Sequence, residues 1–203
     1  MSNEQIVKIC GITKLEDASA AIDMGYDIIG VILDTKVVRH GTVRLIDDIE
    51  NIGGTTAAVY TSYESLKENP SSSDHIQLHF QHSPEQIMEI KEESGKKIIS
   101  VISYNGKNNL ESEIHEKINS GADLVLIENR EGIVKYFPEI AYLSSNPRIG
   151  VAGKIGISNV SEVRDRGFRF IDASSSLEAS PGKKDHSIMK DFIEAARCSH
   201  ATV

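Results

Sequence analysis

The sequence predicts an α/β chain: a single compact (βα)8 barrel of the TIM-barrel class, with some helices shortened to fit its 203 residues. Three observations predict it. Short β-branched runs alternate with amphipathic stretches along the chain. Several runs, IIGVIL and LVLI among them, are continuously apolar, as strands buried on both faces are. The amphipathic stretches repeatedly end at glycine, where a helix terminates and the chain turns back to a strand. An open, doubly wound sheet shares this periodicity and remains the alternative, because pattern does not show closure.

Eight candidate strands follow in order: Ile6–Cys10, Asp27–Leu33, Thr55–Tyr60, His75–Leu78, Lys97–Ser103, Asp123–Ile127, Arg148–Val151 and Phe168–Ala173. The first helix, Lys14–Met24, has a polar entry at Thr13 and exits at Gly25. The stretch Ser62–Asp74 is polar and serine-rich and predicts a short helix or a loop. Ser83-Pro84 opens the next helix, Ser83–Ser94, with a cap followed by proline at the first helical position. Leu110–Ser120 and Ser158–Arg166 exit at Gly121 and Gly167, and a last helix runs from about Ser187 to Arg197. No linker or low-complexity segment divides residues 1–203, so one domain is expected.

Hydrophobic residues make up 39% and charged residues 26%, the balance of a globular chain. No apolar run approaches the roughly 18 residues of a membrane span. The polar start, Met1 to Gln5, carries no leader signature, so a cytoplasmic protein is expected. Two cysteines, Cys10 and Cys198, are expected as free thiols. The net charge of −8 argues against a nucleic-acid partner and means that an anionic ligand must be drawn by a local basic cluster. No His, Cys, Asp or Glu grouping has metal-ligand spacing, and no metal is expected.

In a closed barrel the working residues sit at the C-terminal ends of the strands. That rule selects Cys10, Asp34, Arg39, His79, Glu128, Gly153-Lys154 and Ser174-Ser175-Ser176. Cys10 ends the first strand, with glycine and a helix start following, where a thiolate is favoured and can act as a base. A small buried hydrophobe fits the same position. Arg39 suits a carboxylate clamp, with an ordinary loop arginine as the alternative. His79 suits either a cavity wall or a structural hydrogen bond. Gly153 and the serine triplet suit a phosphate cradle built from backbone N–H groups, or a polar turn. Asp123 lies at the opposite, stability face.

Several motifs, taken in order, resemble one family. KICGIT (8–13) resembles the N-terminal signature of the phosphoribosylanthranilate isomerases of tryptophan biosynthesis. GVILDTKVVR (30–39) is similar to their second-strand segment, with Arg39 kept and Val37-Val38 in place of Ser-Pro. Gln77-Leu78-His79 resembles their QLHG, with Phe80 in place of glycine. Glu128 stands where they carry aspartate. Val151-Ala152-Gly153-Lys154 resembles their AGG turn, and IDASSSLE (171–178) with Pro181-Gly182-Lys183-Lys184-Asp185 resembles their closing VDVSSGVE…PGxKD.

The resemblance implies a cofactor-free Amadori rearrangement of N-(5-phosphoribosyl)anthranilate, with Cys10 as general base and Glu128 as general acid. It implies substrate contacts from Lys8, Arg39, Gln77 and His79, with Arg39 on the anthranilate carboxylate. It implies a phosphate site at Gly153, Lys154, Ser175 and Ser176. A small phosphosugar is the expected partner, bound by a monomer or homodimer. Two departures leave other readings open: a related isomerase of another phosphorylated aminosugar, or a catalytically silent phosphosugar-binding relative. Glutamate is longer than aspartate by about 1.5 Å, one carbon–carbon bond. The family's glycine-rich loop after strand six is here Glu131–Phe137, a stiffer and more apolar stretch.

Overall fold

Eight parallel strands close on themselves: β1 (Ile6–Cys10), β2 (Ile28–Ile32), β3 (Thr56–Tyr60), β4 (His75–Leu78), β5 (Lys97–Ser103), β6 (Leu124–Glu128), β7 (Ile149–Ala152) and β8 (Phe170–Ala173). Every neighbour is parallel. The last strand pairs with the first, in a register that sets Lys8 beside Asp172, so the open-sheet alternative falls. The structure is a computed structural model and describes residues 5–198. All but Gln5 of the polar stretch Met1 to Gln5 lies outside those residues. No helix among the described residues is long and apolar enough to cross a membrane.

The helices are α1 (Leu15–Met24), α2 (Val43–Asn51), α3 (Tyr63–Glu68), α4 (Pro84–Ser94), α5 (Leu110–Asn119), α6 (Phe137–Ile140), α7 (Val160–Asp165) and α8 (His186–Arg197). The shortening expected of so short a chain falls on three of them. The serine-rich stretch becomes the six residues of α3, started by a Ser62–Ser65 capping box, then a loop. After β6 the crossover is two 3-10 turns around the four residues of α6. The helix expected over 158–166 narrows to α7. Helix α2 was not among the elements read from sequence. Its signal is present: Thr42 accepts from the Leu45 N–H, and Leu45, Ile46 and Ile49 form one buried stripe. A hairpin of β9 (Glu178–Ser180) and β10 (Lys183–Lys184) follows β8.

Strand alternation divides the side chains into two populations. One set, with Val7, Ile9, Val31 and Ile171, faces outward and packs beneath the helices in the main core. The other points into the barrel. Its floor is Ile28, Ala57, Ile99, Leu126 and Phe170. Cys10, Ile32 and Val59, joined by Val37 from the loop after β2, form an apolar patch at the mouth. The inward-facing polar residues Lys8, Gln77 and Asp172 are also buried.

Candidate active site

A cavity of about 430 Å³ opens at the C-terminal ends of the strands. Cys10, Arg39, Gln77, His79, Glu128, Gly153, Lys154, Ser175 and Ser176, nine of the residues singled out in the sequence, line it. Cys10 and Glu128 end β1 and β6, three steps apart around the closed sheet, so their side chains meet the cavity from different walls. Val37 adds apolar wall near Cys10, whereas Val38 is 80% exposed and points out. Phe80 turns to an edge-on contact with His82.

Lys8 lies behind this lining. It is fully buried and donates to both Asp172 carboxylate oxygens at 3.0 Å. Burial opposes its charge, but Asp172 and the neighbouring Cys10 more than offset that and raise the Lys8 pKa, so it is an ammonium at every physiological pH. Burial pushes the Cys10 thiol up. Lys8 and Lys184 pull it back only in part. Cys10 is therefore a thiol at rest, and a strong base once it loses its proton.

Glu128 meets His79 at 3.1 Å between Oε2 and Nε2. Burial opposes its ionisation, but His79, Arg130 and Lys8 outweigh that and hold its carboxyl below the ordinary value. The longer glutamate stem thus reaches across from β6 to the end of β4. Gln77 is 1% exposed, and neither of its side-chain amide atoms has a hydrogen-bond partner among the described residues. The side chain thus stands at the cavity wall with an amide donor and acceptor not used by the protein's own described groups.

The loops after β7 and β8 form the remaining wall. Gly153 has φ +109°, and a Cβ there would lie 1.9 Å from the Asn129 carbonyl oxygen, so only glycine fits. Lys154 follows at φ +51°, the one left-handed non-glycine among the described residues. A glycine would adopt this conformation without strain, whereas the lysine here carries it. The Ser176 hydroxyl donates to the Ile155 carbonyl, tying the two loops together. Ser174 donates to the Cys10 carbonyl at 3.0 Å.

Asp34, at the end of β2, ties its loop to the next strand end. It accepts from the Thr61 hydroxyl after β3 and from the Lys36 N–H at 3.0 Å, which hold its carboxyl below the usual range. The stretch after β6 is fixed rather than free: Ile133 and Phe137 are fully buried and the Ile133 N–H donates to the Gly153 carbonyl at 3.2 Å. Sequence reasoning missed Asp172 and Arg130, both cavity-lining. Asp172 was legible as a lone acid inside an apolar strand; Arg130, two residues past Glu128, carried no local signal. Cys198 is exposed, Cys10 buried, and both are free. No group of three or more His, Cys, Asp or Glu among the described residues is arranged to hold a metal.

In a scan against family models, the model described as N-(5'phosphoribosyl)anthranilate (PRA) isomerase matches residues 7–195. The N-(5'-phosphoribosyl)anthranilate isomerase of Thermoplasma volcanium is 39% identical over 191 residues, which cover 94% of this chain and 95% of that one. The solved phosphoribosyl anthranilate isomerase of Thermotoga maritima shares the fold with a TM-score of 0.81 at 23% identity, over 95% of this chain and 98% of that one. A structure of the isomerase in complex with reduced 1-(o-carboxyphenylamino)-1-deoxyribulose 5-phosphate matches with a TM-score of 0.75 at 23% identity, over 95% and 98%.

Proposed function

The chain belongs to the phosphoribosylanthranilate isomerase family, and from that premise we propose that Cys10 is the general base and Glu128 the general acid of its Amadori rearrangement. The protein is an isomerase that converts N-(5-phosphoribosyl)anthranilate to 1-(2-carboxyphenylamino)-1-deoxyribulose 5-phosphate. The observation that supports the assignment is the placement of a buried thiol and a carboxyl on separate walls of one cavity.

Glu128 gives its proton to the ring oxygen of the ribose. The bond from that oxygen to C1' breaks, and C1' becomes a Schiff base with the anthranilate nitrogen. The Cys10 thiolate then takes the proton from C2'. The C–H electron pair forms the C1'=C2' bond and the iminium pair returns to nitrogen, giving an enolamine. Reprotonation at C1' and loss of the C2' hydroxyl proton yield the ketone. Lys8, beneath Cys10, stabilises the thiolate that starts the second step. A substrate bearing a phosphate and a carboxylate adds negative charge beside Glu128 and raises its pKa, favouring the protonated form the first step needs.

Arg39 takes the anthranilate carboxylate, with Val37 and Ile32 against the ring. Gln77 and His79 meet the sugar hydroxyls, and the phosphate rests on Gly153, Lys154, Ser175 and Ser176. Lys8 acts from below, through Cys10 and Asp172, rather than by touching substrate. The same reading expects a cytoplasmic enzyme, monomer or homodimer. The test is the fluorescence decay of freshly generated phosphoribosylanthranilate with wild type, Cys10→Ala and Glu128→Gln. Each variant is expected to lose at least about a hundredfold in kcat while still binding a reduced product analogue. A Glu128→Gln enzyme within about tenfold of wild type removes Glu128 from the acid role.

A further inference from the structure

Glu178 stands in the closing motif of the sequence but has no part in the chemistry above. We propose that Glu178 is a positioning residue that holds one edge of the Arg39 guanidinium and thereby turns the other edge to the substrate carboxylate. This rests on the reading of Arg39 as the carboxylate clamp.

Arg39 is confined on three sides. Its stem crosses Gly11, where φ is +76° and a Cβ would lie 2.7 Å from Arg39 Cδ. Its backbone runs beside Gly182 at the tip of the β9–β10 hairpin, and that tip is pinned by a hydrogen bond from the Thr13 hydroxyl to the Gly182 carbonyl at 2.5 Å. Its Nε lies 3.2 Å from Glu178 Oε1, an ionic contact in which the N–H is not aimed at the oxygen.

Glu178 is itself fixed. Its side chain is 4% exposed and accepts from Lys184 at 3.1 Å. Lys184 also donates to the Cys10 carbonyl at 2.7 Å and the Ser174 carbonyl at 3.2 Å. The carboxylate that meets Arg39 is therefore registered to the ends of β1 and β8, the strands that carry the thiol and the phosphate loop. A guanidinium offers two edges to carboxylates, one through Nε and one through its two terminal nitrogens. An acid held in ionic contact beside Nε leaves the terminal edge for the ligand, and Arg39 lines the cavity. Glu178 thus sets selectivity for an aminosugar whose aryl group bears a carboxylate, and does so without touching it.

The experiment compares two substrates, N-(5-phosphoribosyl)anthranilate and N-(5-phosphoribosyl)aniline, which lacks the carboxylate. Wild type, Glu178→Gln, Glu178→Asp and Arg39→Met are assayed on both. Glu178→Gln is expected to lose about tenfold in kcat/KM on the anthranilate substrate, mostly through KM, and to stay within about twofold on the aniline one. Glu178→Asp, which keeps a counter-charge for Lys184, is expected to show a smaller loss with the same selectivity, and carries the test if the glutamine variant does not fold. Equal losses on both substrates make Glu178 a structural residue and overturn the proposal. Selectivity in Arg39→Met without any in either Glu178 variant overturns it while leaving the Arg39 clamp intact. No selectivity in Arg39→Met overturns the clamp, and the proposal falls with it.

Discussion

Replacing Asp172 by Asn keeps the shape of the site and removes one charge from a pair that solvent barely reaches. Lys8 is fully buried and sits 3.0 Å from both oxygens of an acid that is 6% exposed. Breaking a buried pair from one side costs about 3–5 kcal/mol, because the remaining charge has lost its counter-ion. For a chain of this size that corresponds to a fall in Tm of roughly 6–20 °C. The stranded ammonium has another anion within reach, the Cys10 thiolate. In the wild type Asp172 raises the thiol pKa and Lys8 lowers it. With asparagine the raising contribution of Asp172 is gone while burial, Lys8 and Lys184 act as before, so the thiol titrates at lower pH than in the wild type, and each unit of that shift is worth about 1.4 kcal/mol.

The sign for stability follows. Between the variant's lowered thiol pKa and the wild type's, which lies above the ordinary 9.0, the native variant binds fewer protons than native wild type. Its stability relative to wild type therefore rises with pH in that window. Urea unfolding at neutral and alkaline pH measures the first quantity, and thiolate ultraviolet absorbance against a Cys10→Ser background measures the second. A thiol that titrates unchanged or higher in Asp172→Asn refutes this account, as does a stability loss below about 1 kcal/mol.

Three further outcomes are expected. The productive form has Cys10 deprotonated and Glu128 protonated, and its population is independent of pH between the two pKa values; kcat/KM should be level from above pH 4.5 to about pH 9, falling below as the thiolate is lost and above as the acid is lost, whereas a narrow bell centred near neutrality contradicts the two shifts. Removing the imidazole with His79→Gln takes away a group that lowers the Glu128 pKa, so the acid limb of that profile should move to higher pH; an unmoved limb assigns it to another group. Relieving the left-handed strain with Lys154→Gly should raise stability by about 1 kcal/mol in denaturant titration while raising KM severalfold, and an unchanged KM removes Lys154 from the phosphate site.

The sequence made the barrel legible because its information is local. A buried parallel strand needs an apolar run and most of these helices stop at a left-handed glycine, and both are visible within a dozen residues. Helix α2 was missed although it carries the same local signals, a Thr42 cap and a left-handed glycine, Gly53, one residue past Ile52. The strand-end rule reached Cys10, Arg39, His79 and Glu128 for the same local reason. It did not reach Asp172, Glu178 or Lys184 as working residues. Each takes its meaning from a partner far along the chain: Asp172 from Lys8, Glu178 from Arg39, Lys184 from the Cys10 carbonyl. No spacing rule joins residues 8 and 172 until the barrel is closed.

That seam has a bearing on the order of events during synthesis. The carbonyl of Cys10 is held by side chains 164 and 174 positions later, and the ammonium under its thiol waits for an acid 164 positions later. A nascent chain that has made its first seven strands has a lysine destined for the interior without the carboxylate that pairs with it, so burying that lysine is costly until β8 arrives. Closure of the barrel, burial of Lys8 against its counter-charge and completion of the Cys10 thiol's surroundings therefore all depend on β8 and its hairpin, the last strands of the chain to be made.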